Sequence, residues 1–122
     1  CFRHRINAPN LSLRLIERAD NLRARWLRLP YGDQGIFVRR DTFEQLGGYE
    51  DVPLLEDVIL SRTLAKISAP RVLAPQLNID ARRWLERGVL STTLTNWKIM
   101  WLYFVCQRAP KEVIELYSNT QS

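Results

Sequence analysis

The chain has 122 residues, 46% of them hydrophobic and 25% charged, the balance of a globular domain and not of a disordered one. Its two cysteines, Cys1 and Cys106, and its lone histidine, His4, leave neither a disulfide framework nor a zinc-ligand spacing, and they argue against a Ser-His-Asp triad. Residues 1–40 hold nine arginines against Glu17, Asp20 and Asp33, or +6, while the rest of the chain is close to neutral within a total of +5. That asymmetry points to an anionic partner or to a solvated basic helix face.

Phe2, His4 and Ile6 alternate with Arg3, Arg5 and Asn7, which predicts a short strand with one covered face. The chain opens directly into that strand, without an initiator Met, and so reads as a portion of a longer fold. Asn10 is placed to cap a helix running to about Leu29. Leu15, Ala19, Leu22 and Trp26 fall on one face of it, with Arg14, Arg18, Arg23, Arg25 and Arg28 on the others. "PYGD" is turn chemistry. A buried strand is expected over Gly35–Arg39, then a short helix with an Asp41/Glu44 capping box, closed by Gly47-Gly48.

After the loop "YEDVPLL" a helix is expected from Glu56 to about Lys66. "PRVLAPQLNIDARRW" reads as extended, with Pro70 and Pro75 confined to edge or end positions. A long helix from about Val89 to Gln107 carries Leu90, Leu94, Trp97, Trp101 and Phe104 in one stripe, the pattern of a hydrophobic core. If exposed, that stripe would be an interfacial patch for a lipid-linked acceptor, with Arg23, Arg25 and Arg28 adding contact with anionic lipid. "IMWLYFVC" is far short of the ~20 residues that span a bilayer. A last helix opens at Pro110 and runs to Tyr117.

Glu56 and Asp57 are adjacent carboxylates at a helix start. Capping explains them in part, since acidic groups in a first turn gain ~0.3–1 kcal/mol each from the helix dipole. A general base explains them too, because such a group must be ionised, rigidly held and within reach of a substrate hydroxyl. The surroundings carry a resemblance. Gly35-Ile36-Phe37-Val38-Arg39-Arg40, then Leu46-Gly47-Gly48-Tyr49, then Glu56-Asp57 with Leu60, Arg62 and Leu64 stand in order. This set resembles the second half of the nucleotide-binding domain of family 2, GT-A-type glycosyltransferases. "PYGDQGIFVRR" and "ARRWLERGVLSTTLTNW" look like a compact bacterial subgroup of unassigned substrate, and the likeness runs from about Phe2 to Tyr117.

The resemblance implies an α/β fold, the C-terminal part of a GT-A (nucleotide-diphospho-sugar transferase, Rossmann-like) fold, helix-rich with few short strands. Residues 1–122 would form one incomplete domain, with 1–88 holding the Glu-Asp motif and 89–118 the closing helices. The implied activity of the parent is inverting transfer of a sugar from a nucleotide sugar to a hydroxyl acceptor. Asp57 would be the base, with Glu56 beside it, and Asp33 and Gln34 would touch sugar or acceptor. Arg83 would bind phosphate and Trp84 would stack on sugar. Asp80 stands where processive relatives carry Gln, so processivity is not implied. The family's Asp-x-Asp, which holds Mg²⁺ or Mn²⁺, is missing, so this chain alone should bind no metal, bind nucleotide poorly and turn over nothing. A cytoplasmic location, at the inner membrane face if the contact is lipid, is expected, as is self-association through the edges of Phe2–Asn7 or Gly35–Arg39 or the Trp97/Trp101 face. The rival reading is a non-catalytic basic scaffold or binding domain. No nucleic-acid-binding motif is present.

Overall fold

In the computed structural model, which describes residues 1–120, the chain begins with β1, Phe2–Ile6, burying His4 and Ile6 and exposing Arg3 and Arg5. This is the two-residue period that the sequence predicts. β1 pairs in parallel with β2, Leu73–Ile79, and these are the two strands among the described residues. The register steps from Phe2–Leu73 to Arg3–Gln76, which leaves Ala74 and Pro75 in a bulge. A proline, lacking an N–H, disturbs no ladder there.

Helix α1, Leu11–Trp26, starts at Asn10, whose side chain makes no capping bond. Its orientation differs from the expected one. Leu15 and Leu22 are exposed and Trp26 is 75% exposed, whereas the inward side carries Leu13, Glu17, Asp20, Asn21 and Ala24. The reason lies in β1. The His4 N–H donates to Asn21 Oδ1 (3.0 Å), Asn21 Nδ2 donates to the His4 carbonyl (3.0 Å), and the Ile6 N–H donates to Glu17 Oε2 (3.2 Å). The edge of β1 opposite β2 is therefore closed by side chains of α1, which supply what a third strand would have supplied. It is not the open edge expected to drive self-association.

Past α1 the chain reaches a 3-10 turn at Gly32–Gln34, with Gln34 fully buried. The strand expected over Gly35–Arg39 does not form. Gly35 enters the left-handed region (φ 59°), the segment pairs with no strand, and Phe37 is exposed. A strand needs a neighbour for its backbone groups, and the sheet here stops at two.

Helix α2, Arg40–Gln45, follows without the expected capping box: its N-cap is Arg39, Asp41 takes the Thr42 N–H and the Arg39 guanidinium, and Glu44 pairs with Arg40. Gly47 and Gly48 end it at φ 82° and 73°. A Cβ on Gly48 would lie 3.1 Å from the Phe43 ring, so both space and backbone require glycine there.

Helix α3, Glu56–Ile67, matches expectation closely. "ARRW" does not, because Arg82–Arg87 form α4 in place of extended chain. Arg, Trp, Leu and Glu are adequate helix formers, and no breaker intervenes before Gly88. Helix α5, Val89–Phe104, and α6, Pro110–Thr120, complete the chain. The stripe on α5 is exposed and not core: Trp97 is 69% and Trp101 56% accessible, with Leu90 and Leu94 also exposed, while Thr92 is buried. A helix apolar around most of its circumference cannot be oriented from one stripe.

The chain separates into two compact units. One holds residues 1–50 and 57–81, the other 51–56 and the chain from Arg82 onward. The class is mixed α/β, helix-rich, with one two-stranded parallel sheet among the described residues.

Candidate functional site

Leu55, buried and at φ 69°, turns the chain into α3. A bulky residue in the left-handed region costs ~1–2 kcal/mol, and here that strained step starts the helix at Glu56. The Glu56 side chain is exposed and that of Asp57 half-buried. Asp57 Oδ2 accepts a 2.6 Å hydrogen bond from the Gly32 N–H, and its Oδ1 accepts from the Val58 N–H at 2.8 Å. One turn further along α3, the buried Ser61 hydroxyl donates to the Pro30 carbonyl at 2.6 Å. One face of α3 is thus fastened at two points to the Pro30–Gln34 segment. A Cβ on Gly32 would meet Asp57 Oδ2 at 3.2 Å, so the close approach depends on glycine. A carboxylate offers about four lone-pair sites, and these two bonds leave the others for a substrate proton.

The same segment leads to a second group of charges. His4 is fully buried, with Nε2 3.3 Å from Asp20 Oδ2 and Nδ1 3.5 Å from Asp33 Oδ2. Neither approach has the alignment of a proper hydrogen bond, so the contacts are ionic in character. Burial alone would lower the imidazole's basicity, but Asp20 and Asp33 outweigh it and raise the pKa to about 9. Asp20 also holds Arg23. The Arg23 guanidinium lies 3.4 Å from the centroid of the Tyr31 ring and donates from Nε to the Leu29 carbonyl. Burial pushes the Tyr31 phenol above its ordinary pKa. Arg23 pulls it back, and the carboxylates of Asp20, Asp57 and Asp33 push it up again. Gln34 closes the group, accepting from the Tyr31 N–H and reaching Asn21 at 3.5 Å.

Of the residues the sequence singles out, Asp33, Gln34 and Asp57 come together around the Gly32–Gln34 turn. Arg83 is exposed and Trp84 half-buried, both on α4 in the other unit. Arg23, expected to face solvent or lipid, is instead bound internally. The reading from sequence missed His4, Asp20, Arg23 and Tyr31. Only their spacing could have shown them: a histidine at a buried strand position, and Asp20 and Arg23 three apart on the side of α1 away from its exposed Leu11, Leu15 and Leu22.

A separate cavity of about 480 Å³ lies between residues 36–39 and the end of α3, with Arg28, Arg39 and Arg71 among its lining. None of the residues expected to act in catalysis or substrate binding, Asp33, Gln34, Glu56, Asp57, Arg83 and Trp84, lines it. No group of His, Cys, Asp or Glu among the described residues is arranged to hold a metal. Asp20 and Asp33 approach opposite nitrogens of His4 and do not converge on one point. No described helix is long and apolar enough to cross a membrane. Comparison with protein-family models, curated proteins and solved structures finds no match.

Proposed function

We propose that the chain is the acceptor-side, base-bearing part of a GT-A-type, family 2 glycosyltransferase. The observation that carries this reading is the 2.6 Å bond from Gly32 N–H to Asp57 Oδ2. It joins two stretches named in the resemblance, "PYGDQ" and the Glu-Asp pair, at one half-buried carboxylate on a rigid helix start.

In the reaction, the Asp57 carboxylate removes the proton of an acceptor hydroxyl. The acceptor oxygen bonds to the anomeric carbon of a nucleotide sugar. The bond from that carbon to the diphosphate oxygen breaks, its electron pair leaves with the nucleoside diphosphate, and configuration inverts. Gly32 fixes the carboxylate's direction, and Asp33 on the same turn faces the sugar or acceptor, whereas Gln34, which the resemblance also places there, is fully buried and supports the turn from within. Glu56, exposed beside Asp57, contacts acceptor. The resemblance gives Arg83 to phosphate and Trp84 to sugar. Mg²⁺ or Mn²⁺ would belong with an Asp-x-Asp, which this sequence does not contain.

The test is nucleotide-sugar turnover by the protein as its native source makes it. Asp57→Asn should lower kcat ~10²–10⁴-fold, the usual contribution of a general base, and leave the nucleotide-sugar KM nearly unchanged. Turnover that persists within tenfold would remove Asp57 from this role. The exposed Trp97 and Trp101 of α5 favour a second, compatible property, peripheral contact with a lipid surface on the cytoplasmic side of a membrane.

A further inference from the structure

Building on the reading of Asp57 as the base, we infer that His4 is a positioning residue for it. The His4 ring, wedged between Asp20 of α1 and Asp33 of the 32–34 turn, holds in place the turn whose Gly32 N–H fixes the Asp57 carboxylate. The ring is fully buried, and each nitrogen faces a carboxylate from a different element. Asp20 is in turn held by Arg23, which stacks on Tyr31 at the entrance to the same turn. From turn to strand the polar link is Asp33 to His4; from turn to α1 it is the longer Gln34–Asn21 contact at 3.5 Å.

The charged groups that act on the ring are Asp20 on α1 and Asp33 on the turn; beyond them Arg23 pairs with Asp20 and covers Tyr31, and Glu17 is occupied by Arg14. Asp57 lies on α3. The neighbour of His4 on β2 is Leu77, which carries no charge.

An imidazolium presents an N–H and a positive charge to both carboxylates, in ionic contact at 3.3 and 3.5 Å. A neutral ring keeps one N–H and no charge, so one carboxylate then faces a lone pair. Asp33, 39% exposed against 21% for Asp20, is the one with water to turn to. When it turns, the 32–34 turn loosens and the Gly32–Asp57 bond lengthens. Loss of one proton at a buried strand residue therefore reaches the candidate base through a three-residue turn. The pKa of about 9 keeps the link closed at neutral pH.

Carbon-detected NMR of the whole chain tests this, since it is unaffected by fast amide exchange at alkaline pH. The Gly32 ¹⁵N and Asp57 ¹³Cγ shifts should move with the same alkaline midpoint as the His4 ring. In Asp33→Asn that step should fall at least threefold at both sites while the ring still titrates. In His4→Gln it should vanish, with the far-ultraviolet circular dichroism retained. Should His4→Gln fail to fold, the parental titration and Asp33→Asn still decide. Gly32 and Asp57 shifts that stay still while the ring titrates, or an undiminished step in Asp33→Asn, would overturn the inference. None of these readouts uses sugar transfer. An intact link alongside full transfer by Asp57→Asn would sink the base reading and leave the link standing.

Discussion

Helices α1 and α5 are each 16 residues long, and they bury opposite kinds of surface. α1 turns two carboxylates and an amide inward and leaves Leu15, Leu22 and Trp26 in solvent. α5, whose one charged residue is Lys98, leaves two tryptophans and two leucines in solvent and buries Thr92. The contrast shows that hydropathy did not decide either orientation alone. α1 lies along a strand edge with three backbone groups needing partners, each costing about 1–3 kcal/mol if buried and unmet. A leucine turned to that edge would gain at most a similar amount and would still leave the groups unmet. On α5 the apolar residues run nearly all round, so some must remain exposed whichever side packs.

The sharpest way to break the comparison is Asn21→Leu, which makes α1 more apolar on its inward side. It should destabilise by about 2–4 kcal/mol, because the N–H and C=O of His4 lose their partners and are not rehydrated. A urea melt that shows Asn21→Leu to be neutral or stabilising would mean that the edge of β1 does not set the orientation of α1.

A smaller effect follows from pH. His4 has a folded pKa raised to about 9 from 6.5, so its stabilising charge is fully present below 6.5 and is lost as pH rises through 9. Between pH 6 and pH 10 the His4 contribution should fall by roughly 1–3 kcal/mol, once screening at the solvent-facing Asp33 is allowed for. His4→Gln should remove that part of the slope, and equal slopes in both proteins would show that the ring is not charged in the fold.

The smallest expected effects sharpen the other side. Leu22→Gln and Trp97→Gln should each change stability by less than about 0.5 kcal/mol, while Trp97→Gln should weaken co-sedimentation with anionic vesicles. A loss of 2 kcal/mol or more from either would place that side chain in a core.

These effects bear on what the sequence could reveal. The Phe2–Ile6 alternation, the α3 start at Glu56 and the Gly47-Gly48 stop were legible because each depends on neighbours in the chain. The orientation of α1 was not, because it is set by unpaired groups on β1 that have no signature in α1 itself. Gly35–Arg39 has the composition of a strand, but composition cannot supply a pairing partner. At the site, Asp57 stood out as one of two adjacent carboxylates at a helix start, and Asp33 and Gln34 stood out only through the resemblance. His4 did not, since a lone histidine gains its meaning only from the two carboxylates that other elements bring to it.

The two sides of β1 also differ in how far apart in the chain their partners lie, and this bears on the order of folding. Glu17 reaches Ile6 and Asn21 reaches His4 across 11 and 17 residues, whereas the β2 side begins 70 residues away, at Arg71. Short loops close at lower entropic cost and earlier than long ones. The first helix should therefore already lie against the first strand in the folding transition state, before the parallel pairing closes. Substitutions along Leu73–Ile79 would then speed unfolding with little effect on the folding rate, while those at Glu17 and Asn21 would slow folding itself.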